Sequence, residues 1–156
     1  MKKRRAQCVL IFLVFLLVGC TNNRSAIHSA PNTASQVSVN YDLTEMGSDM
    51  VYAIVYQLMQ NPEQYIGKTL KIKGQYYPSY YEPTGQYYHY CIIEDATACC
   101  SQGLEFVWED GSHSFPDDYP PESSPIIVTG TYETYQEKDD PNLYCRLTNA
   151  TLEVEK

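Results

Sequence analysis

The sequence predicts a small, mainly β domain of the α+β kind, in which one amphipathic helix precedes five short strands that form a barrel or a sandwich. Three observations carry this expectation. Met50, Val51, Ile54, Val55, Leu58 and Met59 recur at the spacing that places them on one side of a helix. Further on, apolar and polar residues alternate in short runs bounded by Gly, Pro, Asn and Asp, as half-buried strands do. Two of those runs carry a central glycine, Gly74 and Gly130.

The helix is expected over residues 49–60, with Ser48 as its N-cap and Asp49 complementing the positive end of the helix dipole. Asn61 and Pro62 stop it and start a short turn through Tyr65, and Gly67 can take a left-handed backbone before the next element. Strands are expected at residues 69–77, 87–94, 104–108, 126–135 and 143–154, the last broken near Asn149 and Ala150. In two of them the pattern repeats, as Ile72-Lys73-Gly74-Gln75-Tyr76 and Val128-Thr129-Gly130-Thr131-Tyr132. A glycine there permits the coiling or bulge by which one strand serves two sheets of a closed barrel.

Together with Asn61-Pro62-Glu63-Gln64-Tyr65-Ile66-Gly67-Lys68-Thr69-Leu70, this pattern resembles the entry to OB-like domains of exported bacterial proteins. The resemblance covers roughly residues 61–155 and implies an OB-like five-stranded barrel. The helix usual between the third and fourth strands of such domains is replaced by an Asp-, Pro- and Ser-rich segment, residues 109–125. A small five-stranded β-sandwich is the alternative.

The N-terminal region carries Lys2, Lys3, Arg4 and Arg5, then an apolar run from Cys8 that ends in Leu17-Val18-Gly19-Cys20. That run is about half the ~20 residues a spanning helix needs, which favours a cleaved targeting segment. The last four residues resemble the lipobox of bacterial lipoprotein precursors. The resemblance implies a signal peptide over residues 1–19, acylation of Cys20, and a chain anchored in the lipid bilayer of the cell envelope, facing outside the cytoplasm. Residues 20–41, rich in Asn, Ser, Thr and Ala, read as a flexible tether to a folded domain over 42–156.

From Cys20 onward seven basic residues face 19 acids, so the charge is 7 − 19 = −12. Nucleic acid is not an expected partner, because binding it needs a basic stripe that displaces counterions. The chain also holds 15 tyrosines against four Phe and one Trp, so Tyr must supply most of the aromatic burial. Many of these rings crowd one expected hairpin. Tyr77, Tyr80, Tyr81, Tyr87 and Tyr88 are the candidate ligand face, since exposed rings stack on sugars or grip extended peptides; filling the barrel and covering its rim is the alternative role.

Cys91, Cys99, Cys100 and Cys145 remain in the expected mature domain, and with His89 they are the candidate disulfide or metal residues. Structural disulfides fit an exported domain with a small core. Thiolates from Cys99 and Cys100, joined by Cys91, Cys145 or His89, would instead suit zinc or copper(I), although no C-x-x-C pair is present. Asp110, His113, Asp117 and Asp118 lack calcium-loop spacing and read as turn chemistry. No Ser/His/Asp set or phosphate loop is legible. The expected function is therefore a non-enzymatic accessory domain that binds an envelope protein or a small ligand, with a thiol-dependent metal-binding or redox protein as the alternative.

Overall fold

The computed structural model describes residues 38–156; the expected signal peptide, Cys20 and most of the expected tether lie outside the described residues. Its elements are β1 (Tyr41–Asp42), α1 (Ser48–Gln60), a 3-10 turn (Pro62–Gln64), β2 (Thr69–Tyr81), β3 (Gln86–Glu94), β4 (Ser101–Trp108), β5 (Pro125–Tyr135) and β6 (Tyr144–Val154). Strands β2 to β6 close a ring in the order β2-β3-β4-β6-β5, with β5 pairing back onto β2. All pairs in the ring are antiparallel except β4 and β6, which run parallel. This is an OB-like five-stranded barrel preceded by one helix, and the sandwich alternative falls with the closure of the ring.

Closure depends on β2 changing partner along its length. Thr69 to Gln75 pair with β5, whereas Gln75 to Tyr81 pair with β3, so the strand coils through a corner at Gly74. A Cβ built on Gly74 would stand 2.3 Å from the Ile92 carbonyl oxygen and 2.7 Å from Cys91 Sγ. Only glycine lets the backbones approach this closely. Gly130 is the counterpart in β5: a Cβ there would lie 2.9 Å from Leu147 Cβ, and the register with β6 shifts between Thr129 and Thr131. Opposite this bulge Asn149 takes a positive φ of 48°, so β6 continues where a break was expected.

The core fills the barrel with residues of even spacing on each strand, among them Leu70, Ile72, Tyr76, Leu104, Phe106, Val128 and Tyr132. Helix α1 packs against β3 and β4 at one end of the barrel, burying Val51, Val55 and Leu58. Its N-cap is Gly47, without a side-chain hydrogen bond, where Ser48 was expected. Asp49 instead accepts the Ala96 backbone N–H at 2.9 Å and ties the helix to the β3–β4 turn.

At the other end of α1, the Leu58 carbonyl would ordinarily accept from residue 62, but that residue is a proline and has no N–H. Tyr132 Oη donates to it instead, at 2.6 Å, from a ring that is fully buried. Tyr132→Phe should therefore cost about 1–3 kcal/mol in chemical denaturation. An unchanged midpoint would mean that the Leu58 carbonyl finds water at no cost.

The segment where OB-like domains carry a helix, between β4 and β5, here covers the opposite end of the barrel. Phe115 and Tyr119 pack on the core, and backbone bonds between Tyr76 and Ser123 and Ser124 fasten the segment to β2. The folded region also begins slightly earlier than expected. Asn40 exchanges two hydrogen bonds with Thr69, and Tyr41 to Asp42 add a parallel strand beside β2. Among the described residues no helix is long and apolar enough to cross a membrane.

Candidate functional site

Beyond the barrel wall, β2 and β3 project as a two-stranded hairpin, turned at Gly85 with φ +67°. Alternation sorts its tyrosines onto two faces. Tyr80 and Tyr87 pair across the face that continues the barrel interior, with ring centroids 5.1 Å apart. Tyr77, Tyr81 and Tyr88 project from the other face. The candidate ligand face is thus divided, and Tyr77 and Tyr80, both about half exposed, line neither of the two cavities beside the hairpin.

The larger of these is a groove of about 480 Å³, lined by the rings of Tyr87, His89, Phe106, Phe115 and Tyr119 and by Tyr88, Glu105, Glu137 and Arg146. It lies between the β2–β3 hairpin, β4, the 109–124 segment and the β5–β6 connection. A groove of this size is within the usual range for a small ligand or a peptide side chain. The smaller cavity, about 110 Å³, is walled by Ser79, Tyr81, Tyr88, Tyr90, Tyr135, Glu137 and Tyr144. Tyr88 and Glu137 divide the two, Tyr88 Oη donating to Glu137 Oε1 at 2.6 Å.

The aromatic wall is a stack. His89 lies parallel to Tyr119 with ring centroids 3.9 Å apart, and its Nδ1 is 2.7 Å from Tyr76 Oη. Burial lowers its pKa to about 4, which keeps the ring neutral at physiological pH. Phe115 extends the stack to Tyr87 at 4.4 Å, and His113 lies on Trp108 at 3.8 Å. In this setting His89 serves packing and orients Tyr76.

Other residues of the lining carry the charges. Glu105 is 5% exposed although it points away from the barrel interior, because Tyr90, Tyr135 and Arg146 surround it. Burial pushes its carboxyl up to about 7, against the opposing effects of a hydrogen bond from Tyr135 Oη and the nearby Arg146. Tyr135 bonds Oε2 and is the only hydrogen-bonding side chain on this carboxylate among the described residues, which leaves Oε1 open. Arg146 is engaged elsewhere: Nε donates to Glu133 Oε1 at 2.7 Å, and Cζ sits 4.2 Å over the Tyr135 ring. Tyr144 Oη donates to Asp140 at 2.7 Å, so three of the tyrosines that wall the smaller cavity, Tyr88, Tyr135 and Tyr144, are bonded to carboxylates.

The thiols are dispersed. Cys91 is fully buried in the barrel, and its thiol is pushed up to about 12 by desolvation, which makes it an inert packing group. Cys145 is half-buried on β6 opposite Thr134. Cys99 and Cys100 sit exposed in the β3–β4 turn, and all four cysteines among the described residues are free thiols. Neither Cys91, Cys145 nor His89 joins them; the third member of the cluster is Asp95, with one ligand atom from each residue lying within 4.8 Å of the others.

Asp95 organises that turn as an Asx motif. Its Oδ1 accepts the backbone N–H groups of Thr97 at 3.0 Å and Cys99 at 3.1 Å. Slight burial raises the Asp95 carboxyl, but the bonds from Cys99 and Thr97 outweigh it and hold the group below its usual range. Two sulfurs and one carboxylate oxygen can hold a metal ion.

A third concavity, about 440 Å³ and bordered by Leu43, Met46, Lys73, Gly74 and Glu94, has neither an aromatic wall nor a buried acid. It offers a ligand less to hold. Of the groove, the sequence reading reached Tyr87, Tyr88 and His89 but missed Glu105, Glu137, Arg146 and Tyr119. A lone acid within Leu104-Glu105-Phe106-Val107-Trp108 was the available signal for Glu105.

By fold and by groove the molecule is an OB-like barrel with a concave aromatic and carboxylate face. Compared with protein-family models, with curated proteins and with solved structures, the chain matches none.

Proposed function

We propose that this chain is a membrane-anchored envelope lipoprotein whose barrel is a non-enzymatic binding module, taking an extended peptide, a protein segment or a small ligand in the groove across β3 and β4. One observation carries the reading. Aromatic rings and carboxylates together line about 480 Å³ of space between the two hairpins of the barrel. OB-folds use the outer surface of their second and third strands and the flanking loops for ligands, and β3 and β4 occupy those places in this ring. The lipobox resemblance at residues 17–20 supports anchoring through Cys20. A Cys20→Ser variant should leave the membrane fraction; retention there would contradict the anchor.

The binding reading is tested with a panel of glycans and extended peptides against the full chain and its Tyr87→Ala variant. A ligand of the groove should bind the variant about tenfold more weakly, the scale of one lost aromatic contact. Equal affinity for every ligand that binds would place the site elsewhere.

The Asp95, Cys99 and Cys100 cluster supports a second reading, a metal-binding protein. Cys99 Sγ and Cys100 Sγ are 3.6 Å apart. Two sulfurs at ~2.3 Å from a tetrahedral zinc stand roughly 3.8 Å apart, so little rearrangement is needed to chelate one ion, with a fourth ligand from solvent or a partner. Elemental analysis should find stoichiometric zinc or copper that is lost in Cys99→Ser. Metal-free protein after growth in zinc- and copper-supplemented medium would remove this reading.

A further inference from the structure

Within the groove the charges do not cancel. Glu105 Oε1 is open, Glu137 accepts only a tyrosine hydroxyl among the described residues, and Arg146, the one cation lining the space, is held by Glu133 and the Tyr135 ring. The same space is lined by the rings of Tyr87, Phe115 and Tyr119. A buried carboxylate is costly unless paired, and a glutamine could make the same bond with Tyr135 without that cost. The charge at Glu105 is thus unnecessary to the fold and available to a ligand.

The wider field has the same sign. Residues 38–156 hold six Lys and Arg against 19 acids, 6 − 19 = −13. Such a surface repels anions and draws cations toward a concave site.

From this arrangement we infer that the groove takes an alkylammonium group, seated between the Glu105 and Glu137 carboxylates and the aromatic wall. A cation in that position gains from ring faces and from carboxylates together, and both gains grow where water is excluded. A neutral sugar hydroxyl would satisfy Oε1 but leave the charge uncompensated. A lysine side chain of a peptide and a free polyamine share the required chemistry.

Since the inference rests on the groove being the ligand site, its test includes a neutral ligand. Tetralysine, its fully N-acetylated form and spermidine are titrated calorimetrically into the full chain at physiological salt. Tetralysine should bind, and acetylation should weaken it about tenfold or more. Glu137→Gln and Glu105→Gln should have a similar effect, while Glu63→Gln, an exposed acid remote from the groove, should have none. Spermidine binding as tightly as tetralysine identifies a free polyamine as sufficient; much weaker binding places the ammonium on a peptide.

Acetylated peptide binding as well as tetralysine, with loss in Tyr87→Ala, would overturn the cation inference and leave the groove standing as a ligand site. Tetralysine affinity equal in Glu137→Gln, Glu105→Gln and Glu63→Gln would reduce the effect to diffuse attraction and overturn it. If no member of either ligand panel responds to any groove substitution, both readings fail.

Discussion

Gly74→Ala is expected to destabilise the domain by about 3 kcal/mol or more, the upper range for overpacking, because the added methyl meets a backbone carbonyl that cannot rotate away. The Ile92 oxygen would stand 2.3 Å from the new Cβ, inside any allowed contact. Relief requires separating β2 from β3 at the corner where β2 leaves β5, which opens the ring. Gly103→Ala is the matched comparison. Its nearest neighbour, at 2.9 Å, is Ile92 Cδ1, the far end of a flexible side chain. That substitution should cost about 1 kcal/mol or less, so thermal unfolding should separate the two variants by ~10 °C or more. Similar midpoints would mean that the corner at Gly74 is not what closes the barrel.

Glu105→Gln is expected to act in the opposite direction. Burial raises the folded-state carboxyl from an ordinary 4.5 to about 7, so between those values the folded chain holds a proton that the unfolded chain has released. Folded protein binding more protons means that stability falls as pH rises. The contribution is fully present below about 4.5 and lost as pH climbs through about 7. At 1.36 kcal/mol per unit the penalty approaches ~3 kcal/mol at pH 8 as an upper estimate.

The amide keeps an acceptor for Tyr135 and cannot ionise. Glu105→Gln should therefore be more stable than wild type by about 2–3 kcal/mol at pH 8, and the two should converge near pH 5. Parallel pH profiles would show that the carboxylate is not the source. Asp42, Asp95, Asp110 and Asp140 carry lowered values from hydrogen bonds at exposed positions, so their opposite contribution is lost only as pH falls below the ordinary carboxylate range.

Periodicity made most of the fold legible. The stripe on α1 and the alternation in β2 to β6 read directly, because each element buries one face against the same core. β1 did not, since two residues have no period and their strand character comes from pairing with Leu70 and Lys71. The extension of β2 to Tyr81 was hidden by Pro78, which ordinarily argues against a strand. Tyr76 bonds Ser123 and Ser124 through its backbone on the side away from β3. Two residues on, the same side of the strand faces no ladder, so a residue without an N–H is tolerated there.

The site was less legible for a related reason. Tyrosines crowding one hairpin announced themselves by composition, and His89 by its place on the same strand as Cys91. Glu105 occupies the outward position of an alternating strand, where an acid ordinarily meets water; only the arrival of Tyr135 and Arg146 from distant strands buries it. Asp95 is a turn residue. Its oxygens also reach Cys99 Sγ, at 3.3 Å, because the same tight turn brings the two side chains together.

The central claim is that ligand is held in the groove bounded by β3, β4 and the 109–124 segment. Amide chemical-shift mapping of the full chain with any ligand that binds tests it directly. The account predicts perturbations concentrated at Tyr87 to His89, Glu105 to Val107, Phe115, Tyr119 and Glu137. Perturbations confined to Asp95 to Cys100, or to the exposed face of α1, would contradict it.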